Sequence, residues 1–542
     1  MPKIEPNKSG GTVIWNEQDW MEGLAHQGQV SSGTPVKSSV GFSYAINVDP
    51  FRNIGYIGPA FNPVAVTNAF TVLGDDQDYP IGITTYNSDY SFILTEGNYG
   101  TAKLLKYNNA GTPSIDNGAT YPHEIAHGAH TSIKGSDCIA YRHNLGSATR
   151  LSYFYSFNDN TDWDVGTMRL TGSFDEFNDD FMSTIPATHL AGTDLTGGKS
   201  YPHPMCVGAD DVLYIGSGNY VHAYDGKQGA DGTFQSQVLT LPQGFVITCF
   251  LKSTENLLIG GYYRLDETDI NKLHNEAGVY VWNYLDQDIT QHIPCDDGYL
   301  VNLVNWRGYI TAITAGYYSN RGNVRVKLLI GDFFKNVADI PTRYIPIKNG
   351  VDIAGNTLFI NSNAKIFTVG NDIADDSYEV NQLSYAPGYT SDVSSIVKIM
   401  VWSISRRMLT GNNSELSTHL SGYLEAGYYL SNLVEPYFPQ GMQGRVKSVD
   451  VYFKEDVSGG RSLQVNLKTN FNQHILEDNL ATIEEPGIKK YLVDSGGKPL
   501  PFFKDIALLL VWSSGSASTS CPTISKVVLE YELVATTSGT QT

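Results

Sequence analysis

The sequence predicts an all-β protein: a six- or seven-bladed β-propeller followed by a C-terminal antiparallel β-sandwich. Three observations carry that expectation. Charged residues make up only 17% of the 542, while 34 Tyr and 53 Gly supply short aromatic runs and turn punctuation. A proline preceded by an aromatic or aliphatic residue recurs at broadly regular intervals through the first part of the chain. Beyond residue 405 the pattern changes to alternating strands separated by Gly, Pro, Asn and Ser. A chain this long can bury roughly three quarters of its extended surface, so size is no obstacle to a core. Its low charge and aromatic content exclude a disordered polymer.

The recurring dipeptides are Tyr79-Pro80, Tyr121-Pro122, Tyr201-Pro202, Leu241-Pro242, Ile293-Pro294 and Ile345-Pro346, spaced by 42, 80, 40, 52 and 52 residues. That fits a unit of about 40–50 residues with one double-length step. Proline lacks a ladder donor and belongs at a strand start or on an edge, so each one marks where the chain begins a new sheet. The clearest repeat unit after such a proline is Val212-Leu213-Tyr214-Ile215, Gly216-Ser217-Gly218, then residues 219–224 ended by Asp225-Gly226. Two β-branched or aromatic runs around a glycine turn are a hairpin signal. Related pairs are residues 92–95 with 103–107, 138–141 with 150–155, 257–259 with 279–282, 309–314 with 324–330, and 357–360 with 365–369. A four-stranded sheet of this kind cannot cover both its faces and must stack on neighbours around an axis. Six units are visible from Pro80 to about residue 370, and a seventh draws on residues 396–404 with N-terminal strands closing the ring.

The domains expected are an N-terminal extension with strands helping to close the ring over residues 1–64, a β-propeller over 65–405 with a long insertion near 159–200, and a β-sandwich over 406–542. The double-length step holds this insertion or, as the alternative, a degenerate extra blade, with seven acidic residues against Arg169 between 159 and 180. Asp159, Asp162 and Asp164 lack the glycine and terminal glutamate of a calcium loop, so a solvated acidic loop is the simpler reading. Residues 406–421 read as a linker or a crossing loop. After them, strands over 422–430, 445–453, 462–468, 489–493, 506–512 and 524–533 alternate as a sandwich requires. Residues 266–274 are the one short helix candidate.

Charge narrows the function classes. Lys plus Arg number 36 against 56 Asp plus Glu, a net charge of −20. Such a chain repels phosphate, which disfavours general nucleic-acid or anionic-membrane binding. Cys138, Cys206, Cys249, Cys295 and Cys521 show neither a C-x-x-C pair nor an even count, so they read as reduced, mostly buried small residues. Residues 1–11 lack an apolar signal core, and the longest apolar run, Ile506–Trp512, is far short of the roughly 18 residues that span a bilayer. No membrane span is expected, and the product folds in a reducing cytoplasm.

One formal catalytic string exists, His123-Glu124-Ile125-Ala126-His127 with His130 nearby. H-E-x-x-H works when a helix sets two imidazoles one turn apart on zinc. Pro122 and Gly128 flank the string and argue against that helix. Tyr121-Pro122-His123 also recurs as Tyr201-Pro202-His203, which explains the string as a sheet boundary. Propeller glycosidases use converging carboxylates, for which Asp49, Asp137, Asp210, Asp296 and Asp352 are candidates by position. Acidic residues in turns are equally expected for their backbone hydrogen bonds. Asp boxes, phosphate loops, dinucleotide fingerprints and nucleophile elbows are all missing from the sequence. The aromatic residues fill sheets more often than they stack sugars. The sequence therefore assigns no catalytic, cofactor-binding or metal residue and no cofactor.

The sequence resembles propeller-bearing structural proteins of tailed bacteriophages, particularly the tail-nozzle class of short-tailed phages. The resemblance rests on Val48-Asp49-Pro50-Phe51-Arg52-Asn53-Ile54-Gly55-Tyr56-Ile57-Gly58-Pro59, on hairpins such as Tyr214-Ile215-Gly216-Ser217-Gly218, and on Gly422-Tyr423-Leu424-Glu425 leading to residues 446–453. It spans residues 40–540 and carries no catalytic residues. It implies a non-enzymatic virion component, made in the host cytoplasm and placed in the tail as a nozzle or hub-like ring. The partners implied are other virion proteins, further copies in a homo-oligomeric ring, and genomic DNA in transient contact within a channel. An acidic wall suits such a channel, because DNA slides past it without sticking. No interface helix or tube domain of that class is recognisable. The alternative is a host-recognition protein that binds or hydrolyses host surface glycan on a propeller scaffold.

Overall fold

The computed structural model describes, with interruptions, residues 3–15, 42–48, 57–58, 64–65, 80–182, 203–385, 400–419 and 427–536. The protein is all-β, with many four-stranded antiparallel sheets of the kind that form propeller blades. It divides into two compact units, the larger comprising residues 64–364 with 386–418 and the smaller residues 1–63, 365–385 and 419–542.

In the larger unit the chain forms one meander after another. The first sheet runs Pro80–Thr85, Tyr90–Thr95, Lys103–Asn108, Ser114–Ile115, with His123–Glu124 also pairing on the third strand. The second runs Lys134–Leu145, Ala148–Asn158, Trp163–Leu170, Asp175–Asn178, and the third Met205–Val207, Leu213–Ser217, Tyr220–Asp225, Thr233–Thr240. The fourth runs Phe245–Lys252, Leu257–Arg264, Asn275–Trp282, Gln291–Pro294, and the fifth Tyr299–Trp306, Tyr309–Ala315, Val324–Ile330, Phe333–Ile340. The sixth opens with the hairpin Val351–Ala354 and Thr357–Ser362. The seventh runs Met400–Ile404, Arg407–Gly411, Leu416–His419 and ends on Val64–Ala65.

Opening strands are neighbours in a closed cycle, from the first sheet to the second and so on to the seventh, which returns to the first. Side-chain alternation explains why. Tyr153, Tyr155 and Phe157 pack with Phe92, Leu94 and Leu104 of the first sheet, whereas Phe154 packs with Leu213 and Ile215 of the third. Tyr214 then turns to Phe245, Ile247 and Ile259 of the fourth sheet, and Leu258 turns to Leu300 and Leu303 of the fifth. Successive residues of a strand point to opposite faces. A strand apolar at consecutive positions therefore needs a neighbour on each side.

Turns between strands are tight. Arg307 and Gly308, with φ of 55° and 83°, link Trp306 to Tyr309, the both-positive geometry of a two-residue hairpin turn. Gly331, with φ of 63°, opens the turn joining Ile330 to Phe333. Three of the described prolines mark the start of a sheet as expected, whereas Pro122 leads into His123–Glu124 of the first sheet instead of opening the second. Pro80 starts the first sheet, Pro242 and Pro346 precede the fourth and sixth, and Pro294 ends the fourth.

Three boundary expectations need correction. Residues 163–178 are not insertion: Trp163–Leu170 and Asp175–Asn178 complete the second sheet, and Asp164 is buried in it rather than solvated in an acidic loop. Arg407–Gly411 and Leu416–His419 are not a linker but two strands of the seventh sheet. Of the N-terminal segment, only Val64–Ala65 joins the cycle of seven sheets among the described residues. Lys3–Asn7, Gly10–Trp15 and Phe42–Ile46 belong to the smaller unit, where burial of Val13 and Trp15 anchors them. The helix candidate at 266–274, together with Asp159, Asp162 and residues 183–202, lies outside the described residues.

The smaller unit holds two antiparallel sheets sharing one core. One orders Lys3–Asn7, Gly10–Trp15, Ile524–Ala535, Met442–Phe453 and Ile488–Tyr491, with Phe502–Phe503 also on Met442–Phe453. The other orders Phe42–Ile46, Gly427–Ser431, Ile506–Trp512, Leu463–Thr469 and Asn472–Leu480. Trp15, Val449, Val451 and Leu529 from the first of these pack with Val465, Leu467, Leu508, Leu510 and Trp512 from the second.

Trp15 is fully buried in that core. Trp15→Ala is expected to destabilise the smaller unit by about 3–5 kcal/mol, read as a lower denaturant midpoint. An unchanged midpoint would show that the N-terminal strands do not belong to it.

Candidate functional site

The larger unit gathers polar side chains where its opening strands meet. Four of those strands carry a register shift near their start: between Pro80 and Gly82, Gly135 and Asp137, Ile247 and Cys249, and Leu300 and Asn302. A bulge leaves one residue unpaired and re-aims its side chain. At two of the four the extra residue bonds to the next sheet. Ser136 Oγ accepts a hydrogen bond from the His203 backbone N–H, just ahead of the third sheet, and Thr248 Oγ1 donates to the Leu300 carbonyl of the fifth at 2.7 Å.

Asp137, beside the second of these bulges, is buried, with its carboxylate fully engaged. Oδ1 accepts from the neighbouring Cys138 N–H at 2.9 Å, and Oδ2 accepts from the Met205 N–H of the third sheet at 2.8 Å. Oδ2 also takes a charge-assisted bond from Lys348 Nζ. Ser156 Oγ accepts from the Asp137 N–H at 3.0 Å and donates to the His203 carbonyl at 2.9 Å, tying the second sheet to the lead of the third.

Lys348 begins the 3-10 turn Lys348–Gly350, which leads into the sixth sheet. That turn also touches the opening strands of the first and seventh sheets, and Asn302 Nδ2 of the fifth donates to the Lys348 carbonyl at 3.0 Å. The ammonium thus crosses from the sixth sheet to the second, between residues 211 apart in sequence. Burial pulls its pKa down, but Asp137 outweighs that and holds it above the ordinary lysine value. Cys206 and Cys249 lie in its field. Burial raises their thiols to about 11 and about 12, so both stay protonated and poorly nucleophilic at neutral pH. Burial likewise pushes Cys138 and Cys295 far up.

A carboxylate whose partners are an ammonium and two backbone donors is poorly placed to act as general acid or nucleophile. Glycoside hydrolysis needs a second carboxylate about 5–9.5 Å away, and the group facing Asp137 is Lys348. The other positional candidates do not join it. Asp210 is exposed in a turn, capping the Val212 N–H at 3.3 Å and accepting from Tyr214 Oη at 2.6 Å. Asp296 is exposed at φ 51°, and Asp352 is half-buried at the start of the sixth sheet. Asp49 lies outside the described residues.

Sequence reasoning misses the residue beside Asp296. The Asp297 side chain is 2% exposed and pairs with Arg325 Nη1 at 2.5 Å and Lys327 Nζ at 2.8 Å, while Thr314 Oγ1 donates to it. Lys348 escapes it as well. The available signal is position, two residues after the Ile345-Pro346 boundary mark.

The H-E-x-x-H string starts on a strand, since His123–Glu124 is extended and pairs with Lys103 and Leu104. His127 and His130 lie outside the described residues. His123 stacks on Phe177 at 3.8 Å, and its Nε2 lies 3.1 Å from Asp179 Oδ1. Asp179 also accepts from Tyr155 Oη and from the Ala126 N–H at 2.9 Å. Strand geometry and this carboxylate make His123 a clasp between the first and second sheets. Among the described residues no group of three or more His, Cys, Asp or Glu could hold a metal ion.

No family model matches the chain, and no curated protein matches it. Among solved structures it is similar to the computationally designed Ika8 protein, at a TM-score of 0.34 and 10% identity, over 63% of this chain and 96% of the designed one. A likeness that low leaves the fold resting on strand pairing alone.

Removing one partner of a buried ion pair costs about 3–5 kcal/mol, so Asp137→Ala is expected to lower stability by that order. Lys348→Met should cost less, because Asp137 keeps its two backbone donors. Equal losses below about 1 kcal/mol in urea melts, the range of exposed pairs, would show that the pair lies in water. Burial raises the pKa of Asp179, but His123, Tyr155 and the Ala126 N–H outweigh it and hold the carboxyl below its ordinary value. Its stabilisation is therefore complete above an unfolded pKa of about 4 and is lost as pH falls through the lower folded value. Asp179→Asn should flatten that part of the stability profile; a profile identical to wild type would refute the clasp.

Proposed function

We propose that this chain is a non-enzymatic structural component of a phage virion. It sits in the tail as part of a nozzle or hub-like ring and acts through protein–protein contacts. In this reading the larger unit is a seven-bladed β-propeller and the smaller a β-sandwich. The closed cycle of seven opening strands supports the blade count. The last blade is completed by Val64–Ala65 from the other end of the unit, which ties the two ends of the ring together.

The observation that carries the functional reading is the Lys348–Asp137 pair where the opening strands meet. Glycoside hydrolysis needs two converging carboxylates, whereas here Lys348 and Asp137 spend their charges on each other. A pair engaged this way favours rigidity and leaves the outer surfaces to work. Copies of the chain then form a homo-oligomeric ring with other virion proteins as neighbours. Genomic DNA passes through the channel of that ring, and the net charge of −20 keeps the contact transient. Among the described residues no helix is long and apolar enough to cross a membrane.

Purified particles should contain the chain, detected by mass spectrometry and seen as a ring in particle images. The isolated protein should release no new reducing ends from host surface polysaccharide and should leave duplex DNA unshifted at physiological salt. Reducing ends that vanish in Asp137→Asn would establish the competing glycan-hydrolysing activity instead.

A further inference from the structure

The third sheet buries two imidazoles, those of His203 in its lead and His222 on its third strand. Met205 pairs with Ile215 and Ile215 with His222, which places His222 on the face turned to the second sheet. His203 lies close enough to feel its charge. Beside His222 the ladder to the edge strand Thr233–Thr240 is interrupted. Val221 pairs with Leu239 and Ala223 with Gln235, so His222 alone stands opposite residues 236–238. Gln237, in the middle of this bulge, has a φ of 55°. Its backbone N–H donates to His222 Nδ1 at 3.2 Å, Ser236 Oγ lies 3.5 Å from the same nitrogen, and Phe234 stacks on the ring at 5.9 Å. A side chain thus stands in for the ladder carbonyl that the bulge removes.

That bond sets the protonation of the ring. A backbone N–H can only donate, so Nδ1 must keep its lone pair and His222 is neutral while the bulge is closed. A proton on Nδ1 would set donor against donor and take away the acceptor of the Gln237 N–H. Burial pulls the His203 pKa down to about 3; a hydrogen bond with the Gly216 backbone opposes this and the nearby charge of His222 adds to it. The second sheet brings His143 and Tyr141 to the same face. His143 Nδ1 lies 3.1 Å from Tyr224 Oη and its Nε2 2.9 Å from Ser152 Oγ, hydroxyls that donate or accept by rotating, so a proton there can keep both contacts. Tyr141 Oη donates to the Asp211 carbonyl at 2.7 Å, and burial pushes its pKa up to about 12, so it stays neutral in acid. On the strand of His222 itself, Tyr220 and Tyr224 lie two residues to either side. Asp225 at its end accepts from the Lys227 N–H at 2.9 Å, and Lys227 pairs with Asp211. Of these groups, His222 is the one whose protonation collides with a donor that cannot turn away.

We propose that residues 233–237 form an acid-released edge: protonation of His222 frees them from the third sheet while Leu239 stays packed against the fourth. Leu239 is 2% exposed and shares a core with Phe245 and Ile247, whereas Gln235, Ser236 and Gln237 are exposed, so the ladder opens from the bulge toward the preceding turn. Opening returns the ring to water and to an ordinary value of about 6.5, so the open form takes up a proton that the closed form refuses. Closure is therefore complete above that value and is lost progressively as pH falls below it. Release bares the ladder groups of residues 223–225, a sheet edge able to pair with another strand only in acid. This device is independent of the virion reading.

Hydrogen exchange of the full chain, read by mass spectrometry from pH 7.5 to pH 5 and corrected for the intrinsic rate at each pH, tests it. Protection of residues 233–237 should fall about thirtyfold, the ratio that one imidazole of ordinary value gives over that range. The strand Leu257–Arg264 of the fourth sheet should keep its protection. His222→Asn sets an amide oxygen where Nδ1 stood and does not titrate, so it should hold the protection seen at pH 7.5 all the way to pH 5. Unchanged wild-type protection, or an equal fall in His222→Asn, overturns the proposal. So does an equal loss across the whole larger unit, which is general acid unfolding. Where His222→Asn does not fold, the wild-type onset decides. Release driven by a carboxylate starts only below about pH 5, and an onset there overturns the proposal as well.

Discussion

Sheets of the larger unit are apolar on both faces, and that single constraint organises the rest. Tyr153 and Phe154 are consecutive on one strand, yet they belong to the cores shared with the first and the third sheet respectively. A lone sheet with two wet apolar faces would forfeit about 25 cal/mol for every square ångström left uncovered. An open row of sheets leaves two such faces at its ends; a closed cycle leaves none. Closure is the consequence of this alternation, and it creates a crowded space where the opening strands converge.

That space is polar because backbone groups converge there. The bulges at Ile81, Ser136, Thr248 and Val301 break the ladder where opening strands crowd together, and hydroxyls at two of them bond to the neighbouring sheet. Asp137 performs the same task with a charge, bonding Met205 N–H, and the charge then requires a counter-ion. Lys348 provides it from across the cycle. Replacing such a pair with apolar groups is often neutral for stability. Its distinctive contribution is positional: it links the lead of one sheet to a sheet that is not its neighbour.

Some of this is legible in the sequence, and the rest is hidden for physical reasons. Prolines at 80, 242 and 346 mark boundaries because proline lacks the ladder donor. Inner strands such as Leu213–Ser217 announce themselves by an apolar run against a glycine turn. Outer strands do not. Asp175–Asn178 reads Asp-Glu-Phe-Asn, and an edge strand needs no apolar pattern, so it looks like an acidic insertion; Leu416–His419 reads Leu-Ser-Thr-His, too short and polar to signal a strand, and looks like a linker. The flanking Pro122 and Gly128 argue against a zinc helix at His123, but its partner Asp179 comes from beyond another strand's far end. Lys348 carries no local sign beyond its place after Pro346, since its meaning depends on an aspartate more than two hundred residues upstream.

Pairing of Gly10–Trp15 with Ile524–Ala535 bears on how the molecule is made. During synthesis the early strand emerges with its tryptophan and valine bare, and its partner arrives roughly five hundred residues later. At about 5–20 residues per second, that wait is on the order of a minute. Throughout it, a sticky β-edge trails from the ribosome, and the seventh sheet meanwhile must retrieve Val64–Ala65 from the same waiting segment. Nascent chains on one message therefore share a common vulnerability to mispairing, which makes translation speed and holdase chaperones part of this fold's biology.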